Sequence, residues 1–332
     1  MDMTTKRRMI MTKTPLRMTF VGGGTDIPSF YRANGPGAVV SAAINKYVYI
    51  TVNKKFDDNI RVSYSKTEIV EHVDKVQHPI VREALKLLGI RGGVEIVSIS
   101  DIPSGGTGLG SSSSFAVGLL NALHSWNGEL VSARQLAEEA VDIEVNILKE
   151  PIGKQDQYIA AYGGMQFIEF HKDESVTVNP VIMLEEHRRA LQDSLLLLYT
   201  GRQRSASEIL ADQVREVGSH VDTYRRMGEL ASSMYRSLSG GEWGRTGSLL
   251  QENWELKKTL TGKISDAWLD GMYAAALDAG ATGGKLIGAG GGGFLLFFAP
   301  ITNHSEIKKA LGMREEPFSF EPLGSRIIYV GD

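Results

Sequence analysis

The sequence feature that most constrains this chain is a loop of glycines and hydroxyl side chains at residues 104–114, Ser-Gly-Gly-Thr-Gly-Leu-Gly-Ser-Ser-Ser-Ser. A β-prone run, residues 94–99, leads into the loop, and a run compatible with a helix, residues 115–123, follows it. Glycines let backbone N–H groups approach a ligand closely. A helix start adds unpaired N–H groups and the positive end of its dipole. The pattern predicts an anion site suited to phosphate, although a flexible linker or an ordinary capped turn fits the same residues.

The loop differs from two common glycine-rich nucleotide motifs. No Gly-Lys pair in the chain precedes Ser or Thr, so the sequence has no Walker A loop. The pattern Gly-x-Gly-x-x-Gly occurs at Gly288, Gly290 and Gly293, in a separate glycine-rich run, and is weak evidence for a dinucleotide site. The segment from Gly280 to Phe298 instead predicts a strand, a glycine turn and a second strand that form a hairpin.

Two segments place carboxylates beside breaks in the chain. A β-prone stretch over residues 9–21 ends at Gly22-Gly23-Gly24-Thr25-Asp26, which suits a ligand contact or a tight turn with an Asx cap. A helix is predicted over residues 132–148, with Ser132 as its N-cap. Acids along a helix usually form a solvated face, but Glu144 lies shortly before a Pro-Ile-Gly break and is a candidate ligand.

Two further segments carry charged candidates. Asp156 follows the Pro-Ile-Gly break, where a carboxylate can accept a proton from a bound hydroxyl or be an ordinary surface acid at a helix start. Arg202 and Arg204 follow a predicted strand, residues 195–199, and open a helix. Guanidinium groups bind phosphate in a fork, whereas exposed arginines at a helix start need no ligand.

Length and charge restrict the class of protein. The chain has 332 residues, which favours two domains that share a cleft. A net charge of −3 argues against binding to nucleic acid or an anionic membrane. The absence of cysteine excludes disulfides, thiolate catalysis and cysteine metal sites. No apolar run approaches the roughly 20 residues of a membrane span, and the basic start lacks the apolar segment of a secretory signal, so we expect a cytoplasmic protein.

These segments together resemble one family, the GHMP kinases, named after galactokinase, homoserine kinase, mevalonate kinase and phosphomevalonate kinase. Residues 103–112 resemble the phosphate-binding motif of the family. Residues 14–26 resemble the N-terminal motif of its sugar-1-kinase branch, and most closely that of the D-glycero-D-manno-heptose-7-phosphate kinases. Residues 285–294 resemble the C-terminal motif. The motifs occur in family order across nearly the whole chain.

The resemblance implies an α+β fold of two domains, the GHMP kinase fold. Residues 1–185 are expected to form an N-terminal domain like ribosomal protein S5 domain 2, which binds ATP and substrate. Residues 186–332 are expected to form a ferredoxin-like C-terminal domain, completed by a helix at residues 304–311 and a strand at residues 326–330.

The resemblance also implies ATP and Mg²⁺ as cofactors and gives roles to individual residues. Asp156 is expected to orient or deprotonate the acceptor hydroxyl, and Arg17 to offset charge during transfer. Ser112 and Glu144 are the expected Mg²⁺ ligands. The expected contacts of the ATP phosphates are Gly106, Thr107, Gly108, Leu109, Gly110, Ser111 and Ser112. The expected sugar-binding residues, with two arginines for a phosphate on the sugar, are Gly23, Gly24, Thr25, Asp26, Gly290, Gly291, Arg202 and Arg204.

The reaction implied is transfer of the γ-phosphate of ATP to the anomeric hydroxyl of heptose 7-phosphate, which gives the 1,7-bisphosphate. A kinase of a free sugar such as fucose or galactose is the alternative within the family. A sensor that binds sugar or nucleotide without catalysis is disfavoured, because Ser112, Glu144 and Asp156 occur together. The expected partners are a small sugar or sugar phosphate and ATP, with no nucleic acid and no membrane, in a monomer or homodimer.

Overall fold

The computed structural model describes residues 9–102, 106–203 and 206–331. Its strands are β1 (Met9–Val21), β2 (Gly37–Lys54), β3 (Ile60–Ser63), β4 (Thr67–Val70), β5 (Val94–Ser100), β6 (Met165–Phe170), β7 (Val176–Pro180), β8 (Leu195–Tyr199), β9 (Gly283–Leu286), β10 (Phe294–Phe298), β11 (Arg314–Glu315) and β12 (Arg326–Gly331).

Its α-helices are α1 (Pro28–Asn34), α2 (Pro79–Leu87), α3 (Ser111–Trp126), α4 (Ala133–Val141), α5 (Gln155–Tyr162), α6 (Glu185–Asp193), α7 (Ala206–Glu216), α8 (Val221–Ser239), α9 (Thr246–Lys258), α10 (Ala267–Asp278) and α11 (His304–Leu311). Short 3₁₀ turns lie at Val73–Lys75, Val217–Ser219, Trp243–Arg245 and Ile301–Asn303. Within the described ranges, no helix has both the length and the apolar character needed to cross a lipid bilayer.

The first sheet is built around the long antiparallel pair of β1 and β2. Its order is β12-β1-β2-β5-β3-β4, with β6 beside the first half of β2 and β7 beside β6. The β3–β5 pair is parallel. Residues 9–13 of β1 alternate between half-buried and buried, whereas residues 14–21 are all buried. Helices α3, α8 and α9 pack against β1, which explains why its second half loses the alternation of a strand with one solvated face.

The second sheet is antiparallel, in the order β11-β8-β10-β9. Strands β9 and β10 form the hairpin that the glycine-rich run predicts. The expectation that the last strand completes the second domain is wrong, because β12 pairs with β1 in the first sheet. The Ser325 hydroxyl, just before β12, lies 2.8 Å from Thr14 Oγ1 and 3.0 Å from Asn121 Nδ2. These contacts connect the start of β12 to β1 and α3. The division of the chain near residue 185 stays a prediction.

Helix α3 forms the centre of the first half of the molecule. Every residue of α3 except Ser112 is buried, as expected for a helix enclosed on all sides. Gly118 permits a close approach to β1, since a Cβ there would lie 2.6 Å from the Thr14 hydroxyl. The packing therefore leaves Ser112, in the first turn of α3, as the one side chain of this helix that faces solvent.

The helix predicted over residues 132–148 changes type part-way. Ser132 caps α4 as predicted, with its hydroxyl accepting from Gln135 N at 3.1 Å. The α-helix ends at Val141 and continues as a π-helix, Asp142–Ile147. Such wider turns occur frequently at functional sites. Glu144 lies in this segment and is 1% exposed, whereas Asp142 faces solvent.

His124 joins the end of α3 to α4. Its Nδ1 lies 2.6 Å from a Glu129 oxygen, and its Nε2 lies 2.7 Å from a Glu139 oxygen. Ionised carboxylates only accept hydrogen bonds, so both ring nitrogens carry protons. Burial opposes the charge, but the two carboxylates outweigh it and raise the pKa of His124.

We expect this pair of contacts to make stability depend on pH. A raised pKa in the folded state gives stability that is complete below the unfolded value, about 6.5, and is lost as pH rises through the folded value. His124→Gln should lower the free energy of unfolding at pH 6 by about 1–3 kcal/mol, and by less at pH 8.5. Urea unfolding at the two pH values measures both effects. His171→Gln is the control, because His171 hydrogen-bonds a hydroxyl group, that of Thr177, and an equal loss in the two variants would contradict the assignment.

Candidate active site

Arg17 on β1 and Asp156 in the first turn of α5 form a bidentate ion pair. Arg17 Nε and Nη2 donate to the two carboxylate oxygens at 2.7 and 2.6 Å. Nη1 donates to the Gly108 carbonyl at 2.5 Å, and the backbone N–H of Arg17 donates to Leu109 O at 3.1 Å. A fork of this kind fixes the plane of the carboxylate. Arg17 therefore holds both Asp156 and the glycine loop in place.

The glycine loop owes its path to residues in the left-handed region. Gly106, Gly108 and Gly110 have φ of +63°, +78° and +75°, which glycine adopts readily and other residues adopt at a cost. Gly110 is the N-cap of α3, and a Cβ there would lie 3.1 Å from Asp156 Oδ2. The loop therefore approaches the carboxylate closely at the point where α3 begins.

The second glycine-rich run packs against this loop, backbone on backbone. A Cβ on Gly108 would lie 2.4 Å from Ile287 O, and a Cβ on Gly288 would lie 2.4 Å from the Gly108 Cα. Farther along, a Cβ on Gly293 would lie 2.4 Å from Thr107 O. The turn between β9 and β10 therefore supports the loop that precedes α3, and the glycines make this approach possible.

Two cavities meet beside Asp156. We call the one lined by Gly106–Ser113 and Glu144 the loop cavity, and the one lined by Asp26 and Gln155 the inner cavity. The residues that line both are Arg17, Ile152, Asp156, Leu210, Gly288 and Ala289. Groups bound in the two cavities would therefore approach each other next to the Asp156 carboxylate.

Glu144 and Ser112, the two expected Mg²⁺ ligands, lie together in the loop cavity. The Ser112 hydroxyl donates to Glu144 Oε1, and Gln157 Nε2 donates to Glu144 Oε2, both at 2.7 Å. Burial raises the pKa of Glu144, although hydrogen bonds oppose this shift. In the described ranges no group of three or more His, Cys, Asp or Glu side chains is placed to hold a metal ion.

The donors present nevertheless fit Mg²⁺. Mg²⁺ prefers oxygen ligands and in kinases is held by one or two carboxylates together with substrate phosphates. Glu144 and Ser112 supply oxygen ligands beside the loop. The Ser111 hydroxyl also lines this cavity, is buried, and has no hydrogen-bond partner within the described ranges. Such an atom is normally satisfied by water or a ligand.

Asp26 connects the turn after β1 to the start of α5. Its Oδ1 accepts from Gly24 N and from Gln155 Nε2, each at 3.0 Å, and its Oδ2 accepts from Gln155 N at 3.1 Å. Asp26 is 2% exposed, and burial raises its pKa. A Cβ at Gly153 would lie 1.9 Å from Asp26 Oδ2. Asp26 lines the inner cavity. Through its two hydrogen bonds to Gln155, it also positions the residue that precedes Asp156.

The other residues expected to bind the sugar divide into two groups. Gly23 and Gly24 line the inner cavity. Thr25 does not, because it is fully buried and its hydroxyl donates to Ala38 O at 3.0 Å and accepts from Ala38 N at 2.9 Å. Its contacts fix the turn against β2.

Gly290 and Gly291 also lie away from both cavities. Gly291 N donates to Ile264 O at 2.9 Å, and a Cβ on Gly290 would lie 2.8 Å from the Ile264 Cα. These two glycines pack against the segment between α9 and α10. Their neighbours Gly288 and Ala289 line the cavities instead.

Arg202 is not brought to the site either. Its Nη1 donates to Asp266 at 3.0 Å, and its guanidinium lies 3.8 Å from the centre of the Trp268 ring. It lines neither the inner cavity nor the loop cavity. Arg204, the second expected arginine, lies outside the described residues.

Two buried lysines, to which the sequence analysis assigned no role, also line the inner cavity. Lys285 Nζ donates to Thr19 O at 2.9 Å and to Phe20 O at 3.0 Å. Lys257 Nζ, on α9, donates to Gly288 O. A signal for Lys257 exists in the sequence, since it continues the helical spacing of the buried Leu250. Lysine on such an apolar face is rarely buried without a specific partner.

Comparison with known proteins identifies the family. Residues 73–164 match the GHMP kinases N terminal domain, and residues 230–316 match the GHMP kinases C terminal region. A D-glycero-alpha-D-manno-heptose 7-phosphate kinase from Campylobacter jejuni is 31% identical, over 96% of this chain and 98% of that protein. This chain belongs to the GHMP kinases.

Two further proteins that are similar to this chain differ from each other in activity. An L-fucokinase/L-fucose-1-P guanylyltransferase from Bacteroides fragilis is 26% identical over 88% of this chain and 35% of its own length. The crystal structure of a D-glycero-D-manno-heptose 1-phosphate kinase from Bacteroides thetaiotaomicron is similar at a TM-score of 0.80. It is 25% identical and covers 97% of this chain and 100% of that one.

These comparisons confirm the predicted family and the two-domain α+β fold of the GHMP kinases. The chain is a phosphotransferase of this family, and its relatives support an ATP-dependent sugar kinase. The roles of individual residues stay predictions.

The contact between the two glycine-rich segments yields a prediction. Gly288→Ala adds a Cβ that cannot fit against the Gly108 Cα, so the glycine loop must shift. A displacement of about 1 Å near a reacting group can cost about 100-fold in rate, and we expect a loss of this order in kcat/KM for ATP. Steady-state kinetics and thermal unfolding measure the effect.

Gly312→Ala is the matched control for this variant. Gly312 also has a positive φ, +62°, but a Cβ there meets nothing within 4 Å. The variant should therefore lose only about 1–2 kcal/mol of stability, which is the cost of a left-handed backbone at alanine. Its kcat/KM for ATP should match that of the wild type. Equal kcat/KM for ATP in the two variants would show that the contact between the glycines is not needed.

Proposed function

We propose that this GHMP kinase transfers the γ-phosphoryl group of ATP to the anomeric hydroxyl of D-glycero-D-manno-heptose 7-phosphate. The observation that carries a transfer reaction is the meeting of the loop cavity and the inner cavity beside Asp156. The choice of heptose 7-phosphate is supported by the relative from Campylobacter jejuni, which is similar over nearly the whole length of both chains.

In this proposal the acceptor sugar lies in the inner cavity and the triphosphate lies on the glycine loop. The anomeric oxygen attacks the γ-phosphorus and its proton passes to Asp156. A new bond forms between the sugar oxygen and phosphorus, and the bond between phosphorus and the β–γ bridging oxygen breaks, with its electron pair leaving on ADP. Arg17 contacts both carboxylate oxygens and so orients Asp156 for this step.

Ser112 and Glu144 would hold Mg²⁺ beside the phosphates. When bound, the ion supplies charge neutralisation of the phosphate oxygens. The chain's own contribution is to keep the Glu144 carboxylate oriented through Ser112 and Gln157.

A third cavity is suited to the adenine base. It shares His78, Ile80, Ser111 and Ser112 with the loop cavity, so it opens beside the expected phosphates. His78 stacks on Phe115 with ring centres 4.8 Å apart. His78 Nδ1 is buried and has no hydrogen-bond partner within the described ranges. Aromatic faces and an unused polar atom suit a flat heterocycle.

A kinase of a free sugar is the second candidate, and one observation favours it. Arg202, expected to hold a phosphate on the sugar, is engaged by Asp266 and Trp268. The polar lining of the inner cavity, such as Asp26, Gln155 and Gln213, suits the hydroxyl groups of any sugar.

Substitution of Asp156 tests the transfer step. Asp156→Asn keeps the size of the side chain but removes the proton acceptor, so we expect kcat to fall by about 100- to 10,000-fold, with a small change in KM for ATP. ADP release in a coupled assay measures it. Asp222→Asn is the matched control, because Asp222 is also an acid in the first turn of a helix and pairs with an arginine, Arg225, but is exposed. Wild-type turnover by Asp156→Asn would remove this carboxylate from the mechanism.

A panel of acceptors tests the substrate. Heptose 7-phosphate, mannose 6-phosphate, fucose, galactose and mevalonate are each incubated with ATP and Mg²⁺, and products are identified by phosphorus NMR. We expect an anomeric phosphate to form on heptose 7-phosphate with the highest kcat/KM. Faster turnover of fucose or galactose would replace the heptose proposal with the free-sugar kinase.

A further inference from the structure

The inner cavity brings two buried lysines next to Asp156. The ionisable side chains of its described lining are Arg17, Asp26, Asp156, Lys257 and Lys285. Arg17 and Asp156 compensate each other through their ion pair. One carboxylate, Asp26, then faces two lysines. Burial lowers the pKa of Lys285 well below its ordinary value, so Lys257 is the lysine that supplies a cation. A charged lysine in a buried cavity favours an anionic group as its partner.

The two lysines differ in how far their donors are satisfied. Lys285 donates to two backbone carbonyls of β1 and is 1% exposed, so it connects β9 to β1. Lys257 donates to one carbonyl, that of Gly288, and within the described ranges it has no ion pair. An ammonium has three N–H donors. Lys257 therefore keeps more donors available inside the cavity than Lys285 does.

Lys257 also lies where the two cavities join. Its partner Gly288 lines both cavities and packs against Gly108 of the glycine loop. Lys257 itself lines the inner cavity. Its ammonium is thus next to the junction, on the side from which an acceptor approaches.

We propose that Lys257 is a catalytic residue whose ammonium contacts the phosphoryl group as it passes from ATP to the acceptor. The inference rests on the proposed function for the direction of transfer, but not on the identity of the sugar. The bonds that form and break are those given above, and Lys257 keeps its proton throughout.

The charge distribution during transfer explains why this cation is needed. Negative charge spreads over the three equatorial oxygens of the transferred group, and fixed cations stabilise it. Arg17 commits three of its N–H groups to Asp156 and Gly108. Lys257 supplies a further positive charge from the inner cavity, where the glycine loop does not reach.

The environment of Lys257 predicts how activity responds to pH. Burial, helped by Arg17, lowers the pKa of Lys257 to about 8, and Asp26 and Asp156 oppose the shift. Lys285 also faces Lys257, and its own pKa is lowered by burial and by the charges of Lys257 and Arg17. The charged form is present below this pKa and is lost as pH rises through it. We therefore expect kcat/KM for ATP, which reports groups of the free enzyme, to fall above about pH 8.

The test compares Lys257→Met and Lys257→Arg with the control Lys258→Met. Lys258 is the next residue on α9, pairs with Glu255 and does not line the cavity. We expect Lys257→Met to lower kcat by about 100-fold or more with little change in KM for ATP, and Lys258→Met to match wild type. Lys257→Arg should recover part of kcat and move the fall in kcat/KM to higher pH. The Tm of Lys257→Met should not drop, because replacing an incompletely paired buried charge by an apolar group costs little.

The assay uses whichever panel sugar the wild-type protein phosphorylates, or the slow hydrolysis of ATP with water as acceptor when none is phosphorylated. An error in the heptose assignment therefore changes the acceptor and leaves the comparison of variants intact. Wild-type kcat in Lys257→Met would overturn the proposal. So would a loss of kcat that accompanies a lower Tm and is not recovered by Lys257→Arg, since a purely structural lysine behaves in that way.

Discussion

The site depends on a close approach between two backbone segments from distant parts of the chain. Gly108 before α3 and Gly288 after β9 approach so closely that neither position has room for a Cβ. The Gly108 carbonyl also accepts from Arg17, which holds Asp156. The Gly288 carbonyl accepts from Lys257. One backbone contact thus sets the relative positions of the glycine loop, the Asp156 carboxylate and the buried Lys257 side chain.

The fold keeps several charges out of water close to this contact, and each is held by specific partners. Asp26 is bonded to Gly24 and Gln155, and Glu144 to Ser112 and Gln157. Buried charges contribute little to stability and are expensive to leave unpaired. The hydrogen bonds hold both carboxyl groups in one orientation beside the two cavities.

Both halves of the chain contribute residues to the site. The glycine loop, Glu144 and Asp156 come from the elements around the first sheet, whereas Gly288 comes from the turn after β9 and Lys257 from α9. The last strand, β12, returns to the first sheet, so the second half of the chain is anchored at both of its ends. The inner cavity is therefore lined by residues from both halves of the chain.

The family, the α+β class, the elements around each motif and the identity of the residues beside the loop can be predicted from the sequence. The signals are local: glycine runs, helical spacing, an N-cap and carboxylates at breaks. Which of these residues meet depends on the packing of the folded chain. Asp156 finds Arg17 across 139 positions of chain, Thr25 turns to β2, Arg202 pairs with Asp266, and Lys257 enters the cavity. The physical reason is that spacing along a chain fixes which face a residue occupies, whereas the partner on that face is set by packing between remote segments.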